Sequence, residues 1–307
     1  ELALLMEEAG RSIAPVPLVH HCVSAALPVQ RFAPDRVKEP FLLAAARGEL
    51  LLTAAMIEPL NEDPAAPIAT VARQEGDVLV ISGAKRAVPY AAESDRILLA
   101  AACDGDVAVV LVDSAAPGIT LAAVQSTAFE PQYDLELEEV RVGEDAIVMR
   151  SGGATLMDWA AQRTVAALCA HQLGASDCAM RMAASYTSER EQFGVPVATF
   201  QAVGHRMADC YIDIECLRLT TYQAASLLDS EADADTEIAI AKIWAGDCGH
   251  RVSYAAQHVH GGTGIDRDYP LWRYCLWLRH NEMTLGGSSV HLAALGQQLA
   301  EGAALFD

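Results

Sequence analysis

After the phrase SGGATLMD, Ser151 to Asp158, the chain runs in helix-spaced apolar residues, and no proline interrupts 154–190, 199–229 or 234–257. Apolar positions that recur every three to four residues without a break predict long amphipathic helices. Four or so such helices, joined by short links, can bury their stripes only against one another, as a bundle. The acidic run LDSEADADTE, Leu228 to Glu237, reads as the solvated connection between two of them.

The preceding stretch has a different texture. From about Thr53, the phrases GDVLVISGAK, DRILLAAACDGDVAVVLVDS, PGITLAAV and YDLELEEVRV are short β-rich runs punctuated by Gly, Asp and Pro. They predict an antiparallel β domain. Residues 1–52 return to helical spacing, broken at APVPL and PVQRFAPDR. The fold class is therefore α+β, mainly α, in three segments: 1–52 helical, 53–150 β and 151–307 bundle. The chain opens at Glu1 inside an apparent helix without a methionine, so a preceding N-terminal piece is expected.

At 307 residues and 52% hydrophobic the chain can bury a large core. Its net charge of -20 repels phosphate backbones and anionic lipid, which argues against nucleic acid and membrane surfaces as partners. The apolar run ILLAAACDGDVAVVLV is broken by Asp104 and Asp106, too short for a membrane span. Eight cysteines lie scattered with no CxxC, mostly within apolar helical pattern, and point to a reducing, cytoplasmic setting.

Three phrases carry more specific information. In YTSEREQFGVPVATFQAVGHRMAD, Tyr186 to Asp209, a helix ends on Arg and Phe-Gly and another begins at Phe200-Gln201. In QHVHGGTGIDRDYPLWR, Gln257 to Arg273, a glycine pair interrupts a helix and lets backbone amides approach an anion. The third is SGAKRAVPYAAESDRILLAA in the β segment. In this order they resemble the acyl-CoA dehydrogenase family, and the resemblance covers nearly the whole chain. Each motif is weak alone; the combination is specific.

The resemblance implies an N-terminal helical domain, a central β domain and a C-terminal four-helix bundle. It also implies a reaction in which a Glu removes the α proton of an acyl-CoA while FAD accepts the β hydride. In the family's homotetramers the isoalloxazine is held by the β domain of one subunit and the ADP half by the C-terminal domain of its neighbour. The ADP-contacting half is kept here. Arg190 matches the pyrophosphate-binding arginine, a role suited to a planar, permanently charged fork. Phe193 and Gln201 match residues near the adenylate, Gly261 and Gly262 match the glycine pair, and His258 stands where the family commonly has Gln.

The chemical half is altered. Where the family has Thr-Glu-Pro at the flavin, this chain reads AAMIEPLNEDP, so Ile57 occupies the hydroxyl position. The family's Lys-x-Trp-Ile-Thr-Asn reads KRAVPYA, with Ala87 for the aromatic and Pro89 for the threonine. Proline also removes a backbone donor. Counting from Tyr269-Pro270, the usual catalytic Glu falls at Leu285; the alternative position of the base falls at Thr164, whose hydroxyl is a very weak base. Glu282 lies one helical turn before Leu285 and projects along a different line.

Competing readings are simpler. Arg190 could pair with Glu189 or Glu191, and the glycine pair could be an ordinary helix stop. His258 and His260 lack a third ligand of suitable spacing, so no metal is expected. Trp159, Trp244, Trp272 and Trp277 suit core or interface, and Asp158 suits a cap on the first bundle helix.

Taken together, these features predict a subunit that lacks its own catalytic base but completes the FAD site of a homologous partner in an α2β2 acyl-CoA dehydrogenase. Such enzymes, with one FAD per heterodimer, include actinobacterial dehydrogenases of steroid side-chain CoA thioesters, which is the substrate class the resemblance implies. Electron-transfer flavoprotein or a similar acceptor would take the electrons. Two alternatives stay open: a flavin-dependent monooxygenase on the same fold, and a cofactor-free structural or regulatory subunit.

Overall fold

A computed structural model describes residues 1–301; residues 302–307 of the expected C-terminal segment lie outside the described residues. The chain divides into two compact units, one of Val16–Thr164 and one of Glu1–Pro15 with Val165–Asp307. The first helix, α1 (Leu2–Ser12), belongs to the second of these, although it is followed in sequence by the β-containing unit.

In the β-containing unit a π-helical segment, Val19–Ala26, leads into α2 (Leu27–Phe32) and α3 (Asp35–Ala46). Eight strands follow: β1 (Leu52–Ala55), β2 (Val71–Glu75), β3 (Val78–Pro89), β4 (Arg96–Cys103), β5 (Asp106–Asp113), β6 (Ile119–Val124), β7 (Gln132–Val142) and β8 (Ile147–Met149). Their order is β6-β7-β3-β2-β4-β5-β8, with β1 also on β4. The sheet is mixed rather than purely antiparallel, because β1 and β2 both meet β4 in parallel. The long excursion between Ala55 and Val71 permits this; hairpin-linked runs alone would have given only antiparallel neighbours. The β4–β5 connection is the two-residue Asp104-Gly105, with φ of 50° and 82°, as a tight hairpin demands. Ile97, Leu99, Val110, Val112, Leu135 and Leu137 form its core.

The helical unit is built on α4 (Gly153–Glu189, from Val165 onward), α5 (Gln201–Asp229), α6 (Asp235–His260), α7 (Leu271–Met283) and α8 (Ser288–Ala300). The connection between α5 and α6 is shorter than the acidic run suggests, because Asp235 and Glu237 lie in the first turn of α6. Carboxylates there complement the positive end of the helix dipole. Asp158 is not a cap: it sits in the second turn of α4 and accepts a 3.3 Å hydrogen bond from Gln162. The core gathers Cys169, Leu173, Ile214, Leu217, Cys248 and Leu278.

Helix α1 packs directly on α4. A Cβ at Gly174 would lie 1.8 Å from Glu7 O, and one at Gly10 would lie 2.0 Å from His171 O, so the two backbones touch. Buried Glu7 accepts from Arg11 at 2.9 Å, from Arg218 at 3.0 Å and from the Tyr222 hydroxyl. Buried Asp177 pairs with Arg11 and Arg181. These charges tie α1 to α4 and α5, which apolar periodicity alone does not reveal.

Candidate functional site

In the helical unit the expected residues stand around an aromatic pillar. Tyr186, one turn before the end of α4, stacks on His260 at 4.3 Å between ring centroids. Tyr269 lies 5.1 Å from His260 and 6.4 Å from Tyr186. Burial pushes the His260 imidazole below its usual pKa, so it is neutral near pH 7. Its Nδ1 lies 2.7 Å from Ala256 O, which can only accept, so Nδ1 carries the proton. Nε2 then accepts from the Tyr269 hydroxyl at 3.1 Å. This pillar sets the last turn of α4, and with it Arg190, beside the end of α6, where Gly261 and Gly262 begin a 3-10 turn, Gly261–Ile265.

Arg190 is exposed and, among the described residues, has no carboxylate partner; neighbouring Glu189 instead accepts from Ser185. The simple reading of Arg190 as paired with Glu189 or Glu191 is therefore not what forms. Gly261 has φ 60° and ψ -137°, a conformation that side-chain-bearing residues rarely adopt, and a Cβ on it or on Gly262 would meet no atom within 4 Å. The helix end thus presents bare backbone to open space. His258 is exposed in the last turn of α6.

From Arg190 the chain turns through a short hairpin, β9 (Glu191–Gln192) and β10 (Val195–Pro196), whose tip is Phe193-Gly194 with φ of 56° and 79°. Val197 N donates to Arg190 O at 2.8 Å and fixes the return. Phe193 is 94% exposed, and its ring meets Phe200 edge-on at 6.2 Å. Phe200 precedes Gln201, the exposed first residue of α5. The Gly261 N–H itself donates to Gln257 O and His258 O, so the helix end contributes room for close approach rather than a free Gly261 amide, and with the unpaired Arg190 guanidinium it suits an anion such as a pyrophosphate.

The β-containing unit offers different chemistry. Ile57 pairs across an isolated bridge with Arg86, and its carbonyl accepts from Arg86 N at 2.9 Å. Next to it, Glu58 and Lys85 form a buried ion pair of 2.8 Å with side chains 1% and 2% exposed. Glu58 also accepts from the backbone N–H groups of Ile68 (2.6 Å), Ala69 (2.8 Å) and Thr70 (3.1 Å). Burial would push this carboxyl up, but Lys85 and the backbone donors outweigh it and hold it at about 2. Ala87 takes a φ of 49°, its N–H donating to Asp134, and Pro89 O accepts from Thr53 at 2.6 Å. Neither Ile57, Ala87 nor Pro89 has a side chain that can hydrogen-bond a ring.

The two expected base positions are also inert. The Thr164 hydroxyl donates to Ala160 O at 2.8 Å and lies 3.0 Å from Ser24 Oγ. Leu285 packs against the helical core at φ 54°. Glu282 is engaged by Arg279 and lies 3.5 Å from His250. Beneath the Leu285 turn, Lys242 of α6 is 1% exposed and donates to Asn281 O at 2.6 Å and Glu282 O at 3.3 Å, the unpaired carbonyls ending α7. Ser288 donates to Ile243 O at 3.2 Å and His291 to Leu285 O at 2.9 Å.

Sequence reasoning missed Tyr186, Tyr269, Glu58, Lys85 and Lys242 as positioning residues. A lysine inside the apolar phrase IAIAKIWAG was a usable signal for Lys242, since only a buried partner justifies a charge there. Among the described residues, no group of three or more His, Cys, Asp or Glu could hold a metal ion, and no helix is long and apolar enough to cross a membrane.

Comparison with known proteins adds a family to this geometry. The family model described as "Acyl-CoA dehydrogenase, C-terminal domain" matches residues 151–300. Acyl-CoA dehydrogenase FadE27 of Mycobacterium tuberculosis is 36% identical over 300 residues, 95% of this chain and 78% of that protein. A chain in the crystal structure of the ChsE4-ChsE5 complex from Mycobacterium tuberculosis superposes with a TM-score of 0.92 at 33% identity, covering 99% of this chain and 81% of that one. The Tcur3481-Tcur3483 steroid ACAD gives 0.89 at 36% identity, covering 98% and 81%.

Proposed function

The chain belongs to the acyl-CoA dehydrogenase family, and from that premise we propose that it is the subunit of a heteromeric acyl-CoA dehydrogenase that completes a shared FAD site without supplying the base. The observation that carries this reading is the contrast between its two units. In the helical unit, an unpaired Arg190 and open glycine backbone at Gly261-Gly262 fit the anionic half of FAD. In the β-containing unit, Ile57 and Pro89 do not fit the polar edge of the isoalloxazine, and the expected base positions, Thr164 in that unit and Leu285 in the helical one, carry no carboxylate.

When bound, FAD supplies the hydride acceptor for α,β-dehydrogenation of the acyl-CoA. In this reading the chain's own residues hold the anion: Arg190 offers two parallel N–H donors, Gly261 and Gly262 leave room for it at the helix end, and Gln201 and His258 are the further residues assigned to it. The Tyr186–His260–Tyr269 pillar keeps the Arg190 helix end and the glycine turn in register. A homologous partner contributes the catalytic carboxylate and the ring-binding β domain. The complex names of two relatives, one of them a steroid ACAD, support a steroid side-chain CoA thioester as the substrate class. Electrons would leave to electron-transfer flavoprotein or a similar acceptor.

The test is co-expression with a homologous subunit, followed by flavin absorbance per mole of protein and mass in solution. One FAD per heterodimer, lost in Arg190→Ala while the complex stays assembled, is the expected result. Stoichiometric flavin on this chain alone would overturn the reading in favour of a monooxygenase. A complex that turns over acyl-CoA and keeps its flavin in Arg190→Ala would leave this chain a cofactor-free structural subunit.

A further inference from the structure

Beside the start of β1 the β-containing unit holds a cavity of about 330 Å³. That volume lies at the lower end of the roughly 300–1,000 Å³ of small-molecule clefts. Its apolar wall is Pro17, Leu18, Leu50 and Leu51, and its polar side chains are His21, Glu49 and Asp95. Backbone bonds fix the position of each polar residue. Helix α3 ends in a left-handed turn at Gly48, φ 70°, where Gly48 N donates to Ala45 O at 3.0 Å and Glu49 N to Ala44 O at 2.9 Å. These paired bonds close the helix C-terminus and bring Glu49 to the cavity. Asp95 Oδ2 accepts from Leu51 N at 2.7 Å, and Leu51 O accepts in return from Asp95 N at 2.9 Å.

His21 Nδ1 accepts from Leu52 N at 3.0 Å, so the ring proton sits on Nε2. Burial pushes this imidazole below its usual pKa, which keeps it neutral near pH 7. Among the described residues the Nε2–H, Asp95 Oδ1 and the Glu49 carboxylate have no partner. No cation of the chain neutralises the two acids. Arg96, next to Asp95, reaches Asp113 at 2.6 Å and lies 5.3 Å over the Phe41 ring, and Arg47 does not line the cavity. The C-terminal end of α3 adds a partial negative charge of its own.

These groups define the chemistry that fits. Two free carboxylates call for a cation, and their open acceptor sites call for N–H donors, which a primary ammonium has and a quaternary one lacks. The apolar wall calls for a short hydrocarbon body. A neutral donor at His21 calls for an uncharged oxygen, because a ligand carboxylate would meet Asp95 and Glu49. We infer that this cavity binds a small primary ammonium that carries a hydroxyl or carbonyl oxygen, with its N–H groups on Glu49 and Asp95 and its oxygen on the His21 Nε2–H. None of these residues belongs to the set proposed for FAD, so the inference stands or falls independently of the shared site.

The test titrates 4-aminobutan-1-ol into the isotope-labelled chain at pH 7 and fixed ionic strength, read by magnetic resonance of the His21 ring nitrogens and the Leu51 and Leu52 amides. Saturable shifts with a Kd on the order of 1 mM are expected, as suits so few heavy atoms. Glu49→Gln and Asp95→Asn, the latter keeping an acceptor for Leu51 N, should each weaken binding about tenfold. Glu39→Gln, at an exposed residue of α3 outside the cavity, should not. Should Asp95→Asn fold poorly, Glu49→Gln at an exposed residue carries the same test. Tetramethylammonium should not saturate the site, and pentylamine, with a methyl in place of the oxygen, should bind more weakly and leave the His21 nitrogens unmoved. The absence of saturable shifts would overturn the inference. So would shifts that tetramethylammonium reproduces and the variants do not weaken, which mark counter-ions around a chain of net charge -20. Pentylamine that matches the amino alcohol at His21 would overturn the assigned oxygen contact.

Discussion

Replacing Lys85 by Met tests whether the buried pair beside Ile57 holds the loop that follows it. The variant leaves the Glu58 carboxylate, with 1% of its side chain exposed, without its cation. Removing one partner of a buried pair costs about 3–5 kcal/mol. Here the lower end is expected, because Ile68, Ala69 and Thr70 still donate to the carboxylate. Lys85→Met with Glu58→Gln removes both charges and keeps an acceptor for the loop, so about 2 kcal/mol or more should return as coupling between the sites. The pH dependence has a defined sign. The folded carboxyl sits near 2 against 4.5 in the unfolded chain, so its contribution is complete above 4.5 and lost as pH falls toward 2. In Lys85→Met the acid transition should move upward by more than about one pH unit. Native-state amide exchange of β3 and of residues 68–70, read against pH, measures both effects. A single variant that loses under about 1 kcal/mol, with an unmoved acid transition, would refute the reasoning.

Three further outcomes follow from contacts elsewhere. Gly174→Ala places a methyl 1.8 Å from a backbone carbonyl of α1, which cannot swing aside, so α1 should lift from α4 at a cost of about 3 kcal/mol or more, seen as lost exchange protection over Leu2–Ser12. Tyr269→Phe strands Nε2 of buried His260 and should cost about 1–2 kcal/mol; the assembled complex should also lose flavin faster, which a merely distant packing defect would not cause. Lys242 is pulled down to about 8 by burial, against 10.5 unfolded. The unfolded state therefore binds more protons between those values, and wild-type stability should gain on Lys242→Met as pH rises from 8 to 10.5, a slope that equal denaturant midpoints across the range would disprove.

Much of this fold could be read from periodicity. The long helices announce themselves by uninterrupted three-to-four spacing, and the tight β4–β5 turn by Asp104-Gly105. Periodicity says nothing about parallel pairing across a long excursion, which is why β1 and β2 on β4 escaped it. Nor could it say that α1 packs with α4, since that contact is made by the absence of side chains at Gly10 and Gly174 and by charges at Glu7 and Asp177. At the candidate site the motif residues were visible, whereas their supports were not. The sequence sets His260 aside as a metal ligand without giving it a partner, and its supporting role shows only when its Nδ1 is seen on Ala256 O and its ring on Tyr186.

That separation between residues and supports bears on how the fold keeps its shape whatever side chains stand at two of the expected positions. The Leu285 turn is held by Lys242, Ser288 and His291 through carbonyl oxygens alone. None of these bonds reads the side chain at position 285. A leucine at φ 54° carries about 1–2 kcal/mol of backbone strain, which the three bonds and half-burial against the core can absorb. The same holds at Ala87, where Asp134 fixes the backbone N–H whatever side chain follows. Arg190 differs in kind: no internal bond engages its guanidinium among the described residues, so folding gives no reason for it to be arginine. Positions 87 and 285 can drift because the scaffold does not consult them. Among the described residues nothing accounts for position 190, which in the proposed reading meets the shared cofactor.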